Sequence, residues 1–111
     1  MSAPQALSVE LSKSTPSSLP SYDHGVVLEP LCGETIGQYF DNIAGRYPDQ
    51  EALISCQQGI KLTYRQLKEK VDLLARGLMA LGIERGDRVG IWSTNNAEWT
   101  ITQLATAAMG R

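Results

Sequence analysis

A chain of 111 residues with 10 basic and 12 acidic side chains has room for one domain at most and sits close to neutral. That balance argues against an electrostatic nucleic-acid binder; the longest basic cluster, Lys61 to Lys70, is interrupted by Glu69 and reads as the wet face of a helix. One histidine, His24, and two widely spaced cysteines, Cys32 and Cys56, make no Cys/His metal constellation, and no apolar run approaches the roughly 20 residues of a membrane span.

Residues 1–30, "MSAPQALSVELSKSTPSSLPSYDHGVVLEP", hold seven serines, four prolines and few large apolar side chains. Such a stretch buries too little surface to offset its ordering entropy, so a flexible N-terminal tail is expected. Tyr22, Val26, Val27 and Leu28 are its candidates for docking on a folded surface. No basic start leads into an apolar core, so a secretory signal is not expected. Glu10 comes early and no arginine precedes Arg46, unlike a transit peptide. The two cysteines read as reduced thiols, and the expected location is cytoplasmic.

Order begins at "ETIGQYFDNIAGRYPDQ". Thr35 and Gln38 have capping-box spacing, in which the hydroxyl and the amide each satisfy a free backbone N–H. Ile36, Tyr39, Phe40, Ile43 and Tyr47 follow helical spacing as one apolar stripe, and Pro48 ends the helix. In "EALISCQQGIKLT", Ala52 to Cys56 and Ile60 to Thr63 are β-prone runs. Gln57-Gln58-Gly59 joins them as a three-residue hairpin loop, with Gly59 free to take positive φ.

"TYRQLKEKVDLLARGLMALG" repeats the capping box at Thr63 and Gln66. Leu67, Val71, Leu74, Leu78 and Leu81 form its apolar stripe, with Ala75 alongside. Arg65–Glu69, Lys68–Asp72 and Asp72–Arg76 sit four apart on the wet face, where ion pairs add about 0.2–0.5 kcal/mol each. Gly77 costs about 1 kcal/mol relative to alanine, which close packing against a neighbour would explain. Gly82 is the expected stop.

In "IERGDRVGIWSTNNAEW", Gly86-Asp87 makes a turn and Arg88 to Trp92 reads as a short strand covered on both faces. Asn95 is the expected cap of a last helix, with Glu98 three residues on. Trp99, Thr102, Ala105 and Met109 recur along one side of that helix, widened by Leu104 and Ala108. Small Ala105, Ala107 and Ala108 suit close contact with a sheet. The order helix, hairpin, helix, strand, helix makes an α/β chain. Its final strand–helix step is half of a parallel βαβ unit, so a truncated domain is expected.

Motifs that carry chemistry are absent. The glycines are never two apart, so there is no G-x-G-x-x-G, and no G-x-x-x-x-G-K-[ST] or G-x-S-x-G occurs. Asp41, Glu51 and Asp87 are scattered and read as solvated surface. Trp92 and Trp99 read as core-filling side chains rather than pocket walls. Asn95 and Asn96 stand where a helix N-terminus can face an anion, but capping accounts for Asn95.

Three stretches resemble the opening of adenylate-forming (AMP-binding) acyl-CoA synthetases: "TIGQYFDNIAGRYPDQEALI", "GIKLTYRQLKEKVDLLARGLMALGIERGDRVGIW" and "NNAEWTITQLATAAMG". The resemblance covers about residues 31 to 110 and is closest to medium- and long-chain fatty-acyl-CoA synthetases. It implies that residues 31–111 are the incomplete N-terminal part of the large domain of such an enzyme. The full-length enzyme is expected to join a fatty acid to ATP, with Mg²⁺ neutralising phosphate charge, and to pass the acyl group from the adenylate to coenzyme A. Positions matching the family's catalytic, nucleotide or metal motifs are absent here, so no catalytic, cofactor-binding or metal residue is assigned. Thr63, Tyr64, Leu67, Gly86, Asp87 and Asn95 match as scaffold. The chain alone is expected to be inactive. The alternative is a small non-catalytic interaction module, or half of a split synthetase, that docks on a partner chain through its sheet edge and apolar helix faces. With about 80 residues able to fold, marginal stability is expected.

Overall fold

The structure is a computed structural model and describes residues 21–23 and 25–110. His24 and most of the expected tail lie outside the described residues. The chain divides into two units, Met1–Leu31 and Cys32–Arg111. The described part of the first unit contains no helix or strand and exposes Tyr22, Val26, Leu28 and Leu31.

The second unit runs α1 (Ile36–Arg46), β1 (Glu51–Ser55), β2 (Ile60–Thr63), α2 (Tyr64–Ala80) and α3 (Ala97–Met109). Both expected capping boxes form. Thr35 Oγ1 accepts the Gln38 N–H at 3.2 Å and Gln38 Oε1 accepts the Thr35 N–H at 3.0 Å. Thr63 and Gln66 repeat the pair at 3.3 and 2.9 Å. Each box satisfies backbone donors that a helix start leaves over. Helix α1 stops at Arg46, as the proline at position 48 requires.

β1 and β2 pair antiparallel, with Leu53 opposite Leu62 and Ser55 opposite Ile60, and the register shifts between Glu51 and Leu53. The hairpin loop spans Cys56–Gly59 rather than three residues. The Cys56 carbonyl accepts the Gly59 N–H at 3.3 Å, which draws Cys56 into the turn. Gly59 takes φ 65°, as the loop needs. The start of α2 is tied back to the α1–β1 connection, where Gln50 and Pro48 carbonyls accept the Tyr64 and Arg65 N–H groups at 3.0 Å.

The core is small. Leu62, Leu67, Val71, Ala75 and Ala105 are its buried members, and Phe40, Leu53, Ile101, Leu104 and Met109 pack against them. Val71 and Ala105 are the deepest, 1% and 0% exposed. The α2 stripe is therefore inward at Leu67, Val71 and Ala75, while Leu81 at its end is exposed. Gly82 terminates α2 with φ 91°, the Ile83 N–H returning to the Leu78 carbonyl at 3.2 Å.

Four further expectations about the scaffold are corrected. Arg88 to Trp92 forms no strand. A strand is defined by its ladder, and the sheet among the described residues is β1–β2 alone. Nor is the segment covered, since Ile91 is 38% and Trp92 102% exposed. Gly77 meets nothing within 4 Å of where a Cβ would stand, so close packing does not explain it. Helix α3 packs chiefly on α2, then on α1, with lesser contact to β1, so Ala105 fits it to helices more than to the sheet. On α2, Arg65 pairs with Asp49 at 3.1 Å and Arg76 Nε donates to the Asp72 carbonyl oxygen at 3.3 Å, so of the three expected i,i+4 pairs Lys68–Asp72 forms.

Candidate functional site

Asn95 and Asn96 put the expected anion-facing position at the start of α3, so the donors there decide what it can hold. Its cap is Asn96, not Asn95: Asn96 Oδ1 accepts the Trp99 N–H at 3.0 Å. Asn96 Nδ2 in turn donates to Ser93 Oγ at 2.8 Å. The Ala97 N–H is taken by a side chain from the hairpin tip, donating to Gln58 Oε1 at 2.8 Å. The other end of that amide, Nε2, donates to Glu98 Oε2 at 2.8 Å. The hydrogen bond from Gln58, followed by one from the backbone, lowers the Glu98 pKa below the usual carboxylate value.

This arrangement does not fit a nucleotide phosphate. Two donors of the first turn are occupied by Gln58 and Asn96, and an incoming anion would meet the Glu98 carboxylate. Nor do the described residues group three His, Cys, Asp or Glu side chains in a way that would hold a metal ion. The scattered carboxylates serve the scaffold. Asp41 faces Lys68 at 3.0 Å, Glu51 faces Lys61 at 2.7 Å, and Asp87 Oδ2 accepts the Glu84 N–H at 2.8 Å across the turn it was expected to make. Cys32 and Cys56 are free and exposed.

Beside the α3 start, Leu53, Ser55, Cys56, Asn95 and Asn96 line a shallow recess of about 310 Å³. The larger concavity is an open groove of about 620 Å³ lined mainly by Ile36, Tyr39, Phe40, Ile43, Tyr64 and Leu104. On α1 the buried residues are the small Gly37 and Ala44, and the larger side chains Ile36, Tyr39, Phe40 and Ile43 line the groove. The expected apolar stripe of α1 is thus split: Phe40 reaches the core, while Ile36 and Tyr39 remain 66% and 52% exposed. The two tryptophans expected in the core are exposed as well, Trp92 fully and Trp99 by 37%.

Sequence reasoning missed Gln58, which reads as a loop joiner; its partners lie 39 and 40 residues on, and only folding brings them together. It also misplaced the cap by one residue, because adjacent asparagines carry the same preference.

The comparisons with known proteins agree with this scaffold. The family model for AMP-binding enzymes matches residues 40–111. The medium-chain acyl-CoA ligase ACSF2, mitochondrial, of Bos taurus is 47% identical over 90 residues, which are 81% of this chain and 15% of that protein. Its Danio rerio counterpart is 40% identical over 105 residues, 95% of this chain and 17% of that protein. Among solved structures, an artificially fused adenylation–PCP di-domain of Klebsiella oxytoca, NpsA-ThdA, superposes with a TM-score of 0.65 at 36% identity, over 69% of this chain and 14% of that one. The chain thus spans about a sixth of the curated relatives it matches. Its elements are those of the N-terminal part of an adenylate-forming enzyme, and the chain belongs to the AMP-binding enzyme family.

Proposed function

We propose that this chain is a scaffold segment of the large domain of an ATP-dependent acyl-CoA synthetase. The complete enzyme activates a fatty acid with ATP, releasing pyrophosphate and forming an acyl-adenylate. The thiol of coenzyme A then displaces AMP. When bound, Mg²⁺ supplies neutralisation of the phosphate charge. The observation that carries the reading is the 47% identity to a medium-chain acyl-CoA ligase across 81% of the chain.

The chemistry belongs to other parts of that enzyme. What supports this is the α3 start, whose donors are engaged internally beside Glu98, and the small share of each relative that the chain represents. The role we assign to the segment is structural: α1, the hairpin, α2 and α3 form a unit on which the remaining synthetase builds. The exposed groove and Trp92 favour docking of this unit onto the rest of a synthetase, whether joined to it or carried on a separate chain. We propose a cytoplasmic location, although the relatives named above are mitochondrial by name; organelle import of a tagged protein overturns it.

The test is fatty-acid-dependent ATP–pyrophosphate exchange. The chain alone is expected to give none. A polypeptide of the relatives' full length, beginning with this sequence, is expected to exchange with medium-chain fatty acids. Turnover by the 111-residue chain alone, or exchange that follows amino acids instead of fatty acids, overturns the reading.

A further inference from the structure

Gln58 sits at the tip of the hairpin, yet its side chain is committed elsewhere. Oε1 accepts the Ala97 N–H at 2.8 Å and the Ser55 hydroxyl at 2.8 Å, and Nε2 donates to Glu98 Oε2 at 2.8 Å. A backbone N–H can only donate and an ionised carboxylate can only accept, so these two partners fix the orientation of the amide. A carboxylate at position 58 would serve Ala97 but face Glu98 with like charge. A lysine or arginine would serve Glu98 but leave the Ala97 N–H, on a residue 2% exposed, without its acceptor. A forked group with an acceptor on one side and a donor on the other meets both demands.

We infer that Gln58 is a positioning residue whose amide latches the hairpin tip to the first turn of α3, fixing where Arg88–Asn95, the segment leading into that helix, is presented. The latch joins elements 39 and 40 residues apart and rests on geometry within this chain, independent of the synthetase reading.

Amide hydrogen exchange at Ala97, followed by NMR at pH 7 on the whole chain, tests it. Gln58→Glu preserves size and the acceptor for Ala97, so a purely space-filling role leaves the rate unchanged. The latch predicts exchange about tenfold faster, the loss of one hydrogen bond plus repulsion from Glu98. Glu98→Gln alone leaves the rate unchanged. Combined with Gln58→Glu, it returns the rate to that of the unaltered chain, because the amide introduced at position 98 donates to the carboxylate at position 58. Equal rates in the unaltered chain and Gln58→Glu overturn the inference, as does a Gln58→Glu defect that Glu98→Gln fails to rescue.

Discussion

Lys68 Nζ lies 3.0 Å from Asp41 Oδ1, a partner 27 residues earlier in the chain. The same ammonium holds Asp72 Oδ2 at 2.9 Å, so one half-buried cation ties α1 to α2. Burial works to lower its pKa, but the hydrogen bonds to Asp72 and Asp41 and their charges outweigh that, and the pKa rises above the ordinary 10.5. Lys68→Met keeps the aliphatic stem and removes the cation that Asp41 and Asp72 share. The expected cost is on the order of 1 kcal/mol in a urea titration at pH 7, reduced by salt. Because the folded pKa is raised, the contribution is whole below about 10.5 and is lost as pH rises through the folded value. The difference between Lys68→Met and the unaltered chain is therefore expected to shrink at strongly alkaline pH.

Val71 is the one large side chain that is fully buried among the described residues, at 1% exposure, where α2 meets the rest of the core. Val71→Ala removes two methyl groups and leaves a void. The expected loss is about 2 kcal/mol, transfer and cavity terms together. In a core this small that is a large share of the total, so the variant is expected to show no cooperative thermal transition by circular dichroism.

Two glycines of α2 and its cap respond in opposite directions. Gly77 lies inside the helix with open space where a Cβ would stand and with no positive φ, so Gly77→Ala is expected to stabilise by about 0.5–1 kcal/mol. Gly82 stands at φ 91°, where a Cβ is strained, and Gly82→Ala is expected to destabilise by roughly 1–2 kcal/mol. Urea midpoints of the two variants check the sign of each.

Trp92 is fully exposed in this chain. With Trp99→Phe leaving Trp92 as the sole tryptophan, the emission is expected at the position of hydrated indole, with acrylamide quenching near that of a free tryptophan derivative. In a full-length synthetase the same residue is expected to shift to the blue and lose most of its quenching, as the proposed docking of this face onto the remaining chain requires. Equal quenching in both contexts contradicts the scaffold role assigned to this face.

Local chemistry carried the sequence reading far. The two capping boxes, the stop at Gly82, the turn at Asp87 and the inward face of α2 each rest on interactions within a few residues. The misses came where tertiary context decides. Arg88–Trp92 has the composition of a covered strand, but a strand needs a neighbour to pair with. The α1 stripe looked uniform because periodicity does not say which arc of a helix meets the core; Phe40 packs on it while Ile36 and Tyr39 stay exposed. Gln58 carried no signal at all, since a glutamine in a loop says nothing about a helix start 39 residues on.

The reading proposed above makes this chain family scaffold without a nucleotide site of its own. Calorimetric titration of the chain with ATP·Mg²⁺ decides it. The predicted result is no saturable heat, because the donors at the α3 start are engaged by Gln58 and Asn96 and guarded by Glu98. A saturable isotherm with micromolar affinity would contradict the account.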